Sequence, residues 1–163
     1  DANSACYMIA EITAWAAEQN KTLYQILKEI YKEFDFYKEG LLSLTKKGIS
    51  GIEEIKNLMH KFRTTPPTQI LGSDIVEIKD YKSSVSKNVK SGVETTINLP
   101  KSDVLQFFTE DGTKISIRPS GTEPKIKFYF GIKAKLNNIA DFEVVNNELN
   151  ERINKLIKLF SEE

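Results

Sequence analysis

One stretch of the sequence gathers residue types that together can hold an anion: Arg118-Pro119-Ser120-Gly121-Thr122-Glu123-Pro124. Arginine presents a planar fork that can grip two phosphate oxygens at once, and the hydroxyls of Ser120 and Thr122, with the loop amides, can donate to the others. Gly121 lacks a side chain, so a ligand can come close to the backbone N–H groups beside it. Pro119 and Pro124 bracket the loop and limit its freedom, so less ordering entropy is lost on binding. The set suits a phosphate dianion. Residue types alone leave a second reading open, an ordinary polar hairpin loop, because Ser, Gly, Thr and Pro are also common turn residues.

The flanking segments add a second cation. Ile115 and Ile117 alternate with Ser116 and Arg118, and Ile126, Phe128, Phe130 and Ile132 alternate with Lys125, Lys127, Tyr129 and Lys133. Each segment reads as a strand with one apolar face. If the two pair antiparallel with those faces aligned, Arg118 and Lys127 share the opposite face. Lys127 thereby joins Arg118, Ser120, Gly121 and Thr122 as a binding residue. Glu123 reads as an orienting partner for a nearby cation or amide, and Lys125 as a solvated lysine in support.

These strands need a scaffold, and the rest of the chain supplies one. Before them, Val104 to Glu110 and Lys114 to Arg118 flank Asp111-Gly112, a hairpin signal in which both turn positions are expected at positive φ. Asp74 to Tyr81 alternates Val76 and Ile78 with charges, as a half-buried strand does, and the polar stretch from Lys82 to Pro100 is expected as a long exposed excursion. Phe36 to Thr45 is β-leaning, with Leu42 and Leu44 on one face and a turn expected at Lys47-Gly48. Ser50 and Glu53 form a capping-box pattern ahead of Ile52, Ile55, Met59 and Phe62 on one helical face, and Pro66-Pro67 stops that helix. A last helix from about Ile139 to Phe160 carries Phe142, Val145, Leu149, Leu156 and Phe160 on one side. The order predicts an α+β fold, a mainly antiparallel sheet with helices packed on one face.

The first residues follow a different pattern. Ala5, Met8, Ile9, Ile12, Trp15 and Ala16 sit at helical spacing from the start of the chain, so the sequence opens inside an amphipathic helix that is expected to end near Gln19-Asn20. It reads as truncated. Thr22 and Gln25 form a capping box for a second helix with Leu23, Ile26, Leu27, Ile30, Tyr31 and Phe34 as its buried stripe. A domain boundary is expected near residue 36, giving units 1–36 and 37–163.

Charge and composition exclude several classes of function. The chain has 23 Lys and Arg against 23 Asp and Glu, so it lacks the global positive field of a nucleic-acid or anionic-membrane binder, and any anion site must be local. No nucleic-acid partner is expected, although Tyr129 lies among lysines. No stretch approaches the roughly 20 apolar residues that span a bilayer, so no membrane partner is expected either. The single Cys6 fits a reducing compartment, and a cytoplasmic location follows. His60 reads as a surface histidine, and Asp74, Glu77 and Asp80 as a solvated strand face; no metal site is expected in this chain.

Arg-Pro-Ser-Gly-Thr-Glu-Pro followed by Lys-Ile-Lys-Phe-Tyr resembles the phosphate-binding loop in the fourth, C-terminal domain of the phosphohexomutases, the phosphoglucomutase and phosphomannomutase superfamily. Phe36-Tyr37-Lys38-Glu39-Gly40 and the helix ending Phe62-Arg63-Thr64-Thr65-Pro66-Pro67 are similar to the branch related to phosphopentomutases. The resemblance implies the TBP-like fold of that C-terminal domain over residues 37–163, with residues 1–36 as the helical end of the third domain. It implies a four-domain isomerase of carbohydrate metabolism that moves a phosphoryl group between C1 and C6 of a hexose phosphate, or the equivalent positions of a pentose. A phosphoserine and Mg²⁺ would act there from other domains of the same polypeptide, through a bisphosphate intermediate. Arg118, Ser120, Gly121, Thr122 and Lys127 would hold the substrate phosphate that does not react. No Ser-His-Asn-Pro phosphoserine loop, Asp-Gly-Asp metal loop or Gly-Glu-x-Ser-Gly sugar loop occurs in the sequence, so no catalytic residue is assigned and the chain alone is expected to be inactive. The alternative is a stand-alone module that binds a phosphorylated ligand by itself.

Overall fold

The computed structural model describes residues 2–46, 48 and 50–162. The turn expected at Lys47-Gly48 involves Lys47, outside the described residues. The chain divides into two compact units, Asp1–Tyr37 with Ala134–Glu148, and Lys38–Lys133 with Leu149–Glu163.

In the first unit, α1 (Ala2–Glu18) and α2 (Leu23–Phe34) follow the expected boundaries closely. The capping box forms as the sequence predicts: Thr22 Oγ1 accepts from the Gln25 amide at 3.2 Å, and Gln25 Oε1 accepts from the Thr22 amide at 2.7 Å. Tyr31, Phe36 and Phe142 stack, with centroids 4.2 Å apart for Tyr31 and Phe36 and 4.9 Å for Phe36 and Phe142. The burial expected for the α2 stripe holds only at Ile26. Only Ala16 is buried on α1 and only Ile26 on α2, while Met8, Trp15, Ile30 and Phe34 stay exposed. An amphipathic pattern specifies which face wants cover, and the described residues cover only part of it, through the rings of Phe36 and Phe142 against Tyr31.

The second unit contains most of an eight-stranded antiparallel sheet, ordered β1 (Phe36–Thr45), β8 (Lys125–Ala134), β7 (Lys114–Pro119), β6 (Leu105–Thr109), β3 (Ser73–Asp80), β4 (Val85–Asn88) and β5 (Glu94–Thr96), with β2 (Gln69–Ile70) paired to β3 off this path. Two helices, α3 (Ser50–Thr64) and the part of α4 (Phe142–Ser161) from Leu149 onward, supply the apolar side chains that cover one face. Phe62 of α3 lies 6.2 Å from Phe107, 6.1 Å from Phe128 and 6.1 Å from Phe160, tying both helices to the middle strands. Phe107, Ile115, Ile117, Ile126, Phe128 and Ile132 are fully buried. Gly40 on β1 allows α4 to come close: a Cβ there would stand 2.6 Å from Ile153 Cγ2. No helix of the described residues is long and apolar enough to cross a membrane.

Four local expectations change. The stretch 82–100 is not an excursion, since Val85–Asn88 and Glu94–Thr96 extend the sheet as a polar edge hairpin, turned by Gly92 at φ 72° and by the Asn88 side chain, which accepts from the Ser91 amide at 2.9 Å. With β5 exposed along its length, no apolar alternation marked it. On β3 the register slips between Ile75 and Glu77, so Ile75 and Ile78, rather than Val76 and Ile78, face the same side as Phe107. The 111–112 turn has only Gly112 at positive φ, and its loop is wider, closed by the Thr109 amide on the Thr113 carbonyl at 3.0 Å. Helix α3 starts on Ser50 itself, next to Ile49 outside the described residues, and its buried stripe includes Leu58 where Ile52 was expected.

That turn is pinned to α4. Arg152 Nη2 meets Asp111 Oδ2 at 2.7 Å, and Asp111 Oδ1 accepts from Thr109 Oγ1 at 2.6 Å and from the Thr113 amide at 3.0 Å. Partial burial pushes the Asp111 carboxyl up, but the bonds from Thr109 and Thr113 and the charge of Arg152 outweigh it and hold it below its ordinary value. A carboxyl depressed in the folded state adds stability above its unfolded pKa of about 4, and that stability is lost as pH falls through the folded value. Thermal melts of the protein should therefore fall more steeply between about pH 5 and pH 2 than those of Asp111→Asn; parallel slopes would contradict this.

Candidate functional site

The core sets the site. Because Ile117, Ile126 and Phe128 turn into the helix-covered face, the register pairs Arg118 with Lys127, Ile117 with Phe128 and Ser116 with Tyr129, and places Arg118, Lys127, Ser116 and Tyr129 on the open face. Arg118 and Lys127 are direct cross-strand neighbours, where strand parity puts them.

The loop between β7 and β8 closes on itself. Ser120 donates its amide to the Lys125 carbonyl at 2.7 Å, Lys125 donates to the Glu123 carbonyl at 2.7 Å, and the Glu123 amide reaches Ser120 Oγ at 3.3 Å. The Lys46 amide donates to the Pro124 carbonyl at 2.9 Å, which anchors the loop to the end of β1. These bonds occupy the amides of Ser120, Glu123 and Lys125 and one lone pair of the Ser120 hydroxyl, which keeps its own hydrogen for another acceptor.

Above this loop lies a depression of about 270 Å³. Arg118, Ser120, Gly121 and Lys127 line it, as do the two supporting residues Glu123 and Lys125. Thr122 is exposed on the loop and stands outside that lining. Pro119 and Tyr129 line it too, and sequence reasoning did not place them there. The signal for Tyr129 was present, since it lies two residues beyond Lys127 and so on the same strand face. Three cations against one carboxylate make the depression locally positive within a chain of zero net charge. Arg118 is exposed and Lys125 and Lys127 are half-buried, so each contributes only about 1–4 kcal/mol toward an anion at contact, and added salt weakens it.

Gly121 is not required by the fold. Its φ lies outside the left-handed region, and a Cβ built on it meets nothing within 4 Å. What the missing side chain leaves is open ground above the loop amides.

The family of the phosphoglucomutase/phosphomannomutase C-terminal domain matches residues 76–145, a span that contains the loop and its whole depression. The chain carries a phosphoglucomutase/phosphomannomutase C-terminal domain. Among curated proteins it is similar to a phosphoglucomutase of Staphylococcus haemolyticus, 32% identical over 149 residues, and to one of Staphylococcus aureus, 34% identical over 152 residues. Each alignment takes in 91% of this chain and 26% of the relative, so the chain spans about a quarter of the length of these phosphoglucomutases. A solved structure of pp63/parafusin from Paramecium, a phosphoglucomutase in its open form, aligns with a TM-score of 0.39 at 12% identity, over 82% of this chain and 22% of that one.

Within this C-terminal domain, Gly121→Ala should leave the fold intact, with stability unchanged or raised by up to about 1 kcal/mol through the stiffer unfolded chain. Denaturant unfolding checks this, and a loss above about 2 kcal/mol would show that Gly121 serves packing after all.

Proposed function

We propose that the 118–124 loop and Lys127 form the cradle for the non-reacting phosphate of a phosphorylated sugar, in a phosphoglucomutase or phosphomannomutase of which this chain is the C-terminal part. The observation that carries this reading is the register that sets Arg118 opposite Lys127 in the lining of a depression that also takes in Ser120 and Gly121. The arrangement suits a dianion: Arg118 offers a fork for two oxygens, Lys127 a point charge, and Ser120 with the amides beside Gly121 the remaining donors. In this reading residues 37–163 are the phosphate-binding domain, residues 1–36 are the helical end of the domain before it, and the protein works in the cytoplasm.

The chemistry assigned to this chain is positioning. Phosphoryl transfer draws mainly on alignment and charge stabilisation, and binding energy taken from a remote phosphate fixes the hydroxyl that reacts. A cradle that grips either phosphate of a bisphosphate serves a reaction whose intermediate has to turn around. Magnesium would act from elsewhere in the polypeptide, and the positioning assigned to this chain rests on its own side chains and amides. The reacting groups belong to other domains of the same polypeptide.

Two outcomes follow. In the full-length parent, Arg118→Ala should lower kcat/KM by the equivalent of about 2–4 kcal/mol, the range for losing a charge-assisted clamp; steady-state kinetics showing less than about a threefold loss would remove Arg118 from the cradle. The chain on its own should show no conversion of hexose 1-phosphate to 6-phosphate, and turnover above a no-enzyme control would overturn the assignment of the chemistry to other domains.

A further inference from the structure

A second depression of about 330 Å³ lies next to the cradle on the same open face, and Tyr129 lines both. Its polar lining comes from Ser116, Lys114 and Glu39. Ser116 is paired directly with Tyr129, one pleat from the Arg118 and Lys127 pair, about 7 Å along the strands.

The Ser116 hydroxyl is oriented. Tyr81 donates its phenol hydrogen to Gln106 Oε1 at 3.1 Å, which fixes the amide so that its Nε2 donates to Ser116 Oγ at 2.9 Å. With that lone pair occupied, the hydroxyl hydrogen of Ser116 is left to donate elsewhere, and the depression is where Ser116 is lined up to do so. The relay starts at Tyr81, just past the end of β3, and crosses β6 to reach β7; the core on the other face does not need it. The lining also mixes signs, with a lysine, a carboxylate, a hydroxyl and an aromatic ring. A second phosphate would meet Glu39 as a like charge. A carbohydrate ring suits all of them, because its hydroxyls both donate and accept and its C–H face packs on an aromatic ring.

We infer that the depression at Ser116 and Tyr129 is a subsite for the sugar ring of the ligand whose phosphate lies in the cradle, with Ser116 as a specificity-determining contact set by the Tyr81 and Gln106 relay. The inference rests on the cradle reading for the position of the phosphate. One pleat separates a cation pair from a polyol site, as a phosphoryl group is separated from the ring that carries it.

Dissociation constants of this chain for inorganic phosphate and for hexose 6-phosphate, measured by ³¹P NMR titration, test it. Hexose 6-phosphate should bind more tightly than inorganic phosphate. Ser116→Ala and Tyr81→Phe should each weaken hexose 6-phosphate by about threefold to tenfold, the value of one hydrogen bond, and leave inorganic phosphate within about twofold. Both substitutions remove a single polar atom, and matching thermal melts confirm that the variants fold. If the variants bind both ligands as the parent chain does, or lose both equally, the subsite is wrong and the cradle stands. If inorganic phosphate does not bind while hexose 6-phosphate does and responds to Ser116→Ala, the cradle is wrong and the sugar site stands. If neither ligand binds, both fail.

Discussion

The antiparallel register between β7 and β8 is the constraint on which the rest depends. Ile115, Ile117, Ile126 and Phe128 are all at 0% exposure on the helix-covered face. A slip of one residue on either strand would turn two of them outward, and on both strands all four, at roughly 1.5–3 kcal/mol apiece. A cost of that order rivals the roughly 5–15 kcal/mol by which a domain is stable at all. The pairing of Arg118 with Lys127 therefore needs no interaction of its own to hold it, and two like charges can be kept as neighbours because the core decides their position.

That arrangement divides the labour between the two faces of one sheet. The covered face, with Phe62 wedged among Phe107, Phe128 and Phe160, supplies rigidity. The open face carries polar side chains whose positions follow from strand parity alone. Only the loop needs local devices, and it has them: prolines at 119 and 124, the Ser120 to Lys125 closure, and the Lys46 tie to β1. In the proposed reading such a site is in place before a ligand arrives, which spares ordering entropy on binding.

How much of this was legible in the sequence depended on how strongly each segment was patterned by burial. β8 was plain, since four inward apolar residues alternate with polar ones over its length, and α4 and the capping box of α2 were nearly as clear. The edge hairpin of β4 and β5 left no trace because β5 is exposed along its length and the one buried residue of β4 is the polar Ser86, so neither strand shows an apolar alternation to read. The bulge at Val76 was hidden for a related reason: apolar residues at 75, 76 and 78 fit either phase, and only the partner strand chooses. In the site, Arg118 and Lys127 could be placed together from parity, whereas the exclusion of Thr122 from the depression depends on how the loop folds back, which no periodicity encodes. The relay from Tyr81 through Gln106 to Ser116 joins residues far apart in the chain and was out of reach without the sheet order. The stripes of α1 and α2 were identified as faces, but a sequence cannot say whether the surface that would cover them is at hand.

The central claim, that the loop between β7 and β8 holds a phosphate, is tested most directly by titrating ¹⁵N-labelled chain with inorganic phosphate and following the backbone amides. The account predicts that the largest saturable shifts fall on Ser120, Gly121 and Lys127, and that they vanish in Arg118→Ala. Shifts centred anywhere else, or a response at the loop that survives Arg118→Ala undiminished, would contradict it.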